Sequence, residues 1–537
     1  MSDHAVIGGP ALSAPIRPSL LGGEYLGWTG LPGWQVQADH LGIGHVRWPG
    51  GIVAEDRQRD GIWSYDLTTP DLMDNWPRHD GSARPGLTDM LALSRETGRS
   101  ASVIVPTARY VEAALVDETA ALDRVRAEVG AFAARLVAGD FGPLPDGLIL
   151  EVGAEYYSTD VWEETGGAPA VRGLFAKVFA AAVGALDDAR AAAPGAFDIA
   201  VQSGRFQSKD DPVAGDRDGE AADSLAFVDA FAALGVTDAI DARVWHRYTH
   251  HWAQIPNFFR EAAHPSNVLS TLLSDHVALW SGALGREPDL VMSWLSPDVD
   301  STGASATDPW FDHGPRAGGN ILQMFAEIAA AGVDTATLYG IDSPWPGAVT
   351  TGGTTPADLS VSFAGETYAL LTESVAGLSV LGVHLTNEWK AGPDNAAPWA
   401  GDVDFYAFAG DGRMVVFARA QGFDGASLRA TIALPDLDPG LVRATRLTPD
   451  GDGADAGGVR TDAALDWTDD GFAFDFTRPF EILRVEIAES AVAALTDELE
   501  VWTNAAGHTV TIIPEGDPPP DPAAADLALS YADDFWF

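Results

Sequence analysis

From about Gly23 to Gly382 the chain alternates short apolar runs with longer amphipathic stretches. Short apolar runs bounded by Gly and Pro predict strands. The candidates are Tyr25–Trp28, Ile43–Trp48, Ala101–Val105, Leu148–Val152, Phe197–Gln202, Ala242–Tyr248, Leu290–Leu295 and Thr335–Ile341. The stretches between them carry apolar residues at helical spacing, as Leu174, Val178, Phe179 and Val183 do. They predict helices over Glu112–Val137, Val171–Ala193, Ala221–Leu234, Pro265–Leu284 and Gly319–Ala331. Strands alternating with helices predict a parallel sheet wrapped by helices, and eight of them fit a closed (β/α)8 TIM barrel. An open, doubly wound sheet is the alternative. No glycine-rich phosphate loop follows a strand, which removes the commonest function of that alternative.

Near Gly382 the period changes. VDFYAFAG, RMVVFARA, LRATIALP, VRATRLTP, FAFDFTRP and EILRVEIA are short runs of β-branched and aromatic residues between Gly, Asp and Pro turns. They predict an antiparallel β-sandwich. The expected division is an irregular segment over 1–23, the barrel over 24–382, the sandwich over 383–489 and a tail over 490–537. The tail contains GDPPPDPAAAD, a Pro- and Asp-rich linker expected to be extended.

The whole chain has 537 residues and a formal net charge of −46. A polyanion of this size is repelled by nucleic acid and anionic lipid, so neither is an expected partner. The only lysines are Lys177, Lys209 and Lys390, and cysteine is absent, which excludes disulfides, thiolate metal sites and thiol catalysis. The first residues lack the basic start of a secretory signal peptide. No apolar run reads as a membrane span, so a soluble protein without membrane insertion is expected. The terminus ADDFWF, acidic residues running into an apolar triplet, resembles the uncleaved C-terminal signal of type I secretion substrates. The expected location is therefore extracellular, with the type I machinery as a partner, and otherwise cytoplasmic.

In a closed parallel barrel, chemistry sits at the C-terminal ends of the strands. The second candidate strand ends in HVRWPGG, with Arg47, whose planar fork suits a carboxylate, and Trp48. The fourth, LILEVGAEYYS, delivers Glu155 beside Tyr156 and Tyr157. The sixth ends in VWHRYTHHW, with His246 and Tyr248. The seventh ends in VMSWLSPD, with Ser293, Trp294 and Asp298, and the eighth in YGIDSPWPG, with Asp342 and Trp345. Trp28, Trp48, Trp245, Trp252, Trp294, Trp310 and Trp345 fall at or after strand ends. Gathered at one rim they would form sugar-stacking platforms; read plainly, each is core. His246, His250, His251 and His313 lack metal-ligand spacing, so neither a metal nor any other cofactor is expected.

The order R-x-P-G-G, then G-x-E, then H-x-Y, then x-W before an eighth strand and a sandwich resembles the clan A glycoside hydrolases. Within that clan the likeness is to α-L-arabinofuranosidases, β-xylosidases and heparanase-like β-glucuronidases, over roughly Leu20 to Glu489. It implies hydrolysis of O-glycosidic bonds in a poly- or oligosaccharide, with Glu155 as the general acid/base. It also implies an Asn before that Glu and a nucleophilic Glu before Trp294; the chain has Ala154 and Ser293 instead. Arg47 and Tyr248 match residues that touch the nucleophile. Asp298, Asp300 and Asp342 are the carboxylates that would compensate, since an inverting pair about 6.5–9.5 Å apart tolerates displacement better than a retaining pair at about 5–5.5 Å. Glu388, in TNEW, imitates the nucleophile pair but is expected at the sandwich junction. Two further readings stay open: a catalytically degenerate scaffold that binds glycans without cleaving them, and a barrel used only as an interaction module.

Overall fold

The computed structural model of the chain describes residues 4–11, 13–27, 30–57, 62–73, 83–167, 169–202, 217–248, 269–296, 314–341, 349, 360–385, 403–420, 427–433, 438–453, 456–468, 471–488, 500–503 and 509–513. Eight parallel strands close into a barrel. They are Gly22–Glu24, His45–Trp48, Ser100–Val105, Leu148–Val152, Asp198–Gln202, Ala242–Val244, Asp289–Ser296 and Thr335–Leu338. Thr337 pairs with Gly22 and Leu338 with Gly23, which joins the eighth strand to the first. The closed barrel is the predicted one, and the open sheet is excluded.

The first strand lies before the predicted Tyr25–Trp28. Gly22–Glu24 has almost no apolar content, so its periodicity is silent. Glycine is required there because a Cβ on Gly22 would collide with the carbonyl oxygen of Ala336 on the eighth strand. The predicted helix Glu112–Val137 is two helices, Ala108–Ala114 and Glu118–Ala138, split where Asp117 accepts a hydrogen bond from Ala120 N at 3.1 Å. The Pro169–Arg190 helix has the length and mean hydropathy of a membrane span. Its apolar face, including Phe175, Val178, Phe179 and Val183, is instead buried in the core cluster shared with the strands.

Six sandwich strands fall on the predicted runs, Val403–Gly410, Arg413–Ala420 and Val442–Pro449 end to end. Four of them belong to a nine-stranded sheet and two to a three-stranded sheet that faces it. Three of the nine lie wholly outside the predicted 383–489. His4–Ala11, in the segment expected to be irregular, pairs antiparallel with Ser379–Leu385 and parallel with Thr509–Ile513. In the expected tail, Glu500–Thr503 and Thr509–Ile513 form an antiparallel pair. Both segments are interrupted by Gly, Pro or polar residues, which hid their strand character. The linker GDPPPDPAAAD and the terminus ADDFWF lie outside the described residues.

The barrel interior is layered, and the layering follows from the two-residue period of a strand. Ile149, Ala200, Ala242, Val244 and Val291 form a small apolar cluster separate from the main core. Two positions onward from Ile149, Ala200, Val244 and Val291 stand Glu151, Gln202, His246 and Ser293, all buried. A polar layer thus lies above an apolar one. The alternate positions Leu148, Leu150 and Val152 belong to the main core under the helices.

Candidate active site

Glu155 stands three residues beyond the fourth strand, in a left-handed backbone conformation (φ 44°, ψ 41°) unusual for a residue with a side chain. Such a conformation costs roughly 1–3 kcal/mol and persists where the surroundings enforce it. Those surroundings are visible. Gly153 (φ 79°) turns the chain, and a Cβ there would collide with the Phe179 ring. Ser158 N donates to Glu155 O at 2.7 Å, closing the turn. Tyr156 then anchors it: its hydroxyl donates to Asp223 Oδ2 at 2.6 Å, and its ring packs against Trp162, Phe175, Phe179 and Phe227. Tyr156 is fully buried, so it offers no face to a ligand and serves to place Glu155.

Beneath Glu155 runs a chain of charged groups. His246 Nδ1 lies 3.1 Å from Glu155 Oε1. Its Nε2 lies 3.7 Å from Glu151 Oε1 and 3.5 Å from Arg47 Nη2. Arg47 Nε donates to Glu151 Oε2 at 2.8 Å and Nη2 to Glu151 Oε1 at 2.5 Å, while Nη1 donates to Glu24. Ser293 Oγ donates to Glu151 Oε1 at 3.3 Å. Arg47 was expected to clamp a ligand, but it is fully buried and its fork is spent on two protein carboxylates. Ser293 is likewise turned toward Glu151, so the strand position that would carry a nucleophile supplies a hydrogen-bond donor instead.

The two carboxylates that share Arg47 titrate in opposite directions. Burial opposes ionisation of Glu151, but the charge and two hydrogen bonds of Arg47, together with His246, hold it down to about 2. Burial pushes Glu24 up to about 7 against a single Arg47 hydrogen bond. Burial also opposes the charged form of His246, but the hydrogen bonds to Glu151 and Glu155 raise it.

The loop after the second strand adds two more acids. Glu55 accepts hydrogen bonds from Thr107 N (2.8 Å), Thr107 Oγ1 (2.9 Å), Ala108 N (2.7 Å) and Ala154 N (3.2 Å). Burial nevertheless pushes it up to about 7. Asp56, next along, is pushed up to about 7 by burial and then by the charges of Asp160, Glu55, Glu155 and Glu163.

A stability prediction follows from these three acids. Glu24, Glu55 and Asp56 have ordinary values of 4.5, 4.5 and 3.8 and folded values near 7, so the folded chain holds more protons between those limits. Stability from these groups is present below their ordinary values and is lost as pH rises through 7. Urea unfolding should give a higher midpoint at pH 5 than at pH 8, with an unfolding free energy larger by on the order of several kcal/mol.

Of the residues read from the sequence, Glu155, His246 and Arg47 are brought together. Trp48 and Trp245 are buried, Trp48 edge-on against Tyr65 at 5.2 Å between centroids, so these two are core and not platforms. The backbones of Tyr248 and Trp294 lie in strands, but their side chains are outside the described set. Asp298, Asp300, Trp310, Asp342, Trp345 and Glu388, with Trp28, Trp252, His250, His251 and His313, lie outside the described residues. Sequence reading missed Glu24, Glu55, Asp56 and Glu151. The available signal was a lone acid inside or against a buried run, as in LILEV and GGEYL, since an isolated buried charge demands a partner.

No protein-family model and no curated protein matches the chain. Solved structures do. A family 51 arabinofuranosidase from Xanthomonas axonopodis pv. citri matches at a TM-score of 0.55 and 14% identity, over 90% of this chain and 99% of that one. A family 51 α-L-arabinofuranosidase from Bifidobacterium longum matches at 0.57 and 13%, over 90% and 99%. A family 44 xyloglucanase from Paenibacillus polymyxa matches at 0.53 and 10%, over 90% and 99%. At these identities the likeness establishes architecture. The closed barrel, the sandwich that follows it and these matches together show that the chain has the fold of the clan A glycoside hydrolases.

Proposed function

We propose that the protein is carbohydrate-active and hydrolyses O-glycosidic bonds of a poly- or oligosaccharide, with Glu155 as general acid/base. The observation that carries this reading is the placement of Glu155: a strained, anchored carboxylate at the barrel mouth, hydrogen-bonded to a buried histidine. The solved neighbours, named as arabinofuranosidases and a xyloglucanase, support a carbohydrate substrate. A second carboxylate is required, and Asp56 is the candidate among the described residues. The Glu55 hydrogen bond to Ala154 N ties the two loops together one residue before Asp56 and Glu155, and Glu155 contributes to the upward push on Asp56. Such a pair would suit direct displacement by water, which leaves room between its carboxyls. Asp298 and Asp342 are the other candidates.

A second reading, a degenerate scaffold that binds glycans without cleaving them, is favoured by Ser293 and Ala154. Ser293 donates to Glu151, and Ala154 is fully buried with its N–H given to Glu55. The two readings separate on a panel of aryl glycosides and neutral and acidic polysaccharides. Hydrolysis by the wild type is expected; saturable binding with no turnover on any substrate would establish the second reading. Extracellular release through type I machinery is part of the proposal and rests on the acidic, cysteine-free composition and the ADDFWF terminus.

A further inference from the structure

Two helices hold the turn that carries Glu155, and the sequence spacing shows how. Arg172, Phe175 and Phe179 lie three and four apart on the Pro169–Arg190 helix, and Asp223 and Phe227 lie four apart on Arg217–Leu234, so each set shares one helix face. The two faces meet around Tyr156. Phe175, Phe179 and Phe227 pack on its ring at centroid distances of 5.2, 5.9 and 5.2 Å. Buried Asp223 accepts the Tyr156 hydroxyl at Oδ2, 2.6 Å away, and its Oδ1 forms an ion pair with Arg172. The two kinds of contact act differently. Ring packing is non-directional and leaves the ring able to slide along its long axis. The hydroxyl bond stops that slide, and its length is that of a charge-assisted O–H···O⁻ bond, roughly twice as strong as a neutral one. The Tyr156 backbone is held as well, its carbonyl accepting from Thr159 Oγ1 at 2.7 Å. On the other side of Glu155, Ala154 N donates to Glu55. Glu155, at its strained φ of 44°, is thus pinned between two fixed neighbours.

We infer that Asp223, ion-paired with Arg172, is a positioning residue for Glu155: by holding the Tyr156 hydroxyl it sets the depth of the turn, and so the point at which the acid/base carboxyl is presented. The inference rests on the hydrolytic reading for its purpose but not for its test. Asp223 acts through the one backbone step from Tyr156 to Glu155. An acid displaced by about 1 Å from its leaving oxygen loses on the order of 10²-fold in rate. Without the hydroxyl bond less opposes the strain at Glu155, and the turn can relax toward an ordinary backbone conformation. Ser158 N reports that relaxation directly, because its 2.7 Å bond to Glu155 O closes the same turn.

The test is amide hydrogen exchange in the full chain for the wild type, Tyr156→Phe, Asp223→Asn and the double variant. Phenylalanine keeps the ring packing and removes the hydroxyl; asparagine keeps the shape and removes the charge. The Ser158 amide is expected to exchange about 10-fold faster in Tyr156→Phe and by a smaller factor in Asp223→Asn, while amides of the Leu148–Val152 strand keep their wild-type protection. The double variant should exchange no faster than Tyr156→Phe, because the two residues act through one bond. Unchanged protection of Ser158 in Tyr156→Phe, an equal loss along the strand, or additive effects in the double variant overturns the inference, whether or not any glycoside is cleaved. If Asp223→Asn does not fold, Tyr156→Phe decides alone, since it leaves the ion pair with Arg172 in place. Where hydrolysis is measurable, Tyr156→Phe should lower kcat on unactivated oligosaccharides about 10²-fold with KM little changed, and much less on nitrophenyl glycosides. An equal loss on both overturns the positioning role. Absence of wild-type hydrolysis together with the Ser158 response refutes the hydrolytic reading and leaves the role of Asp223 in the turn standing.

Discussion

Glu155→Gln is expected to lower turnover of an unactivated oligosaccharide about 10³-fold, the usual worth of a positioned acid/base. With nitrophenyl glycosides the loss should be smaller, because a leaving group of low basicity needs little protonation. The contrast between the two substrates is what identifies an acid, since a defect in folding or binding would lower both alike. The amide fits the same space and can accept from His246 Nδ1, which lies 3.1 Å from the carboxylate. Urea midpoints of wild type and variant should therefore agree, and a variant that cleaved both substrates at the wild-type rate would end the assignment.

Arg47→Met is expected to cost about 3–5 kcal/mol, because it strands ionised groups in the barrel interior instead of merely deleting a contact. Glu151 loses two hydrogen bonds and the charge that holds it ionised, and Glu24 loses its guanidinium partner. The triple variant Glu24→Leu, Arg47→Met, Glu151→Leu should recover much of that loss, since apolar replacement of a whole buried ion cluster is often neutral or stabilising. Urea unfolding at pH 7 measures both. If Arg47→Met were as stable as wild type, the cluster would contribute nothing to the fold.

The barrel was readable because parallel strands buried on both faces appear as continuous apolar runs, and seven of the eight fall within a few residues of those runs. The same property concealed the centre of the site. In LILEV both faces are buried, so the one charged member, Glu151, reads as an interruption when it is the pivot of the interior cluster. Gly22–Glu24 was hidden for the opposite reason: close approach of the eighth strand demands glycine, which removes the apolar signal and with it the notice of Glu24. Arg47 and His246 were found by position, but a one-dimensional pattern cannot distinguish a side chain that meets substrate from one that meets another protein charge. Asp56 was out of reach, because its loop is brought to Glu155 by long-range contacts such as that of Glu55 to Ala154, 99 positions along the chain.

The position of His4–Ala11 has a consequence for the order in which the molecule can be assembled. This strand lies between Ser379–Leu385 and Thr509–Ile513 and has no sheet neighbour made before residue 379. At ordinary rates of synthesis it waits about half a minute for its first partner while the barrel is being completed. It stays an open edge until the last described strand emerges. Gly8, Gly9 and Pro10 within it are the residues that weaken self-pairing of such an edge. The sheet is thus closed last, by His4–Ala11 and Thr509–Ile513, which can meet only after every barrel strand has been made.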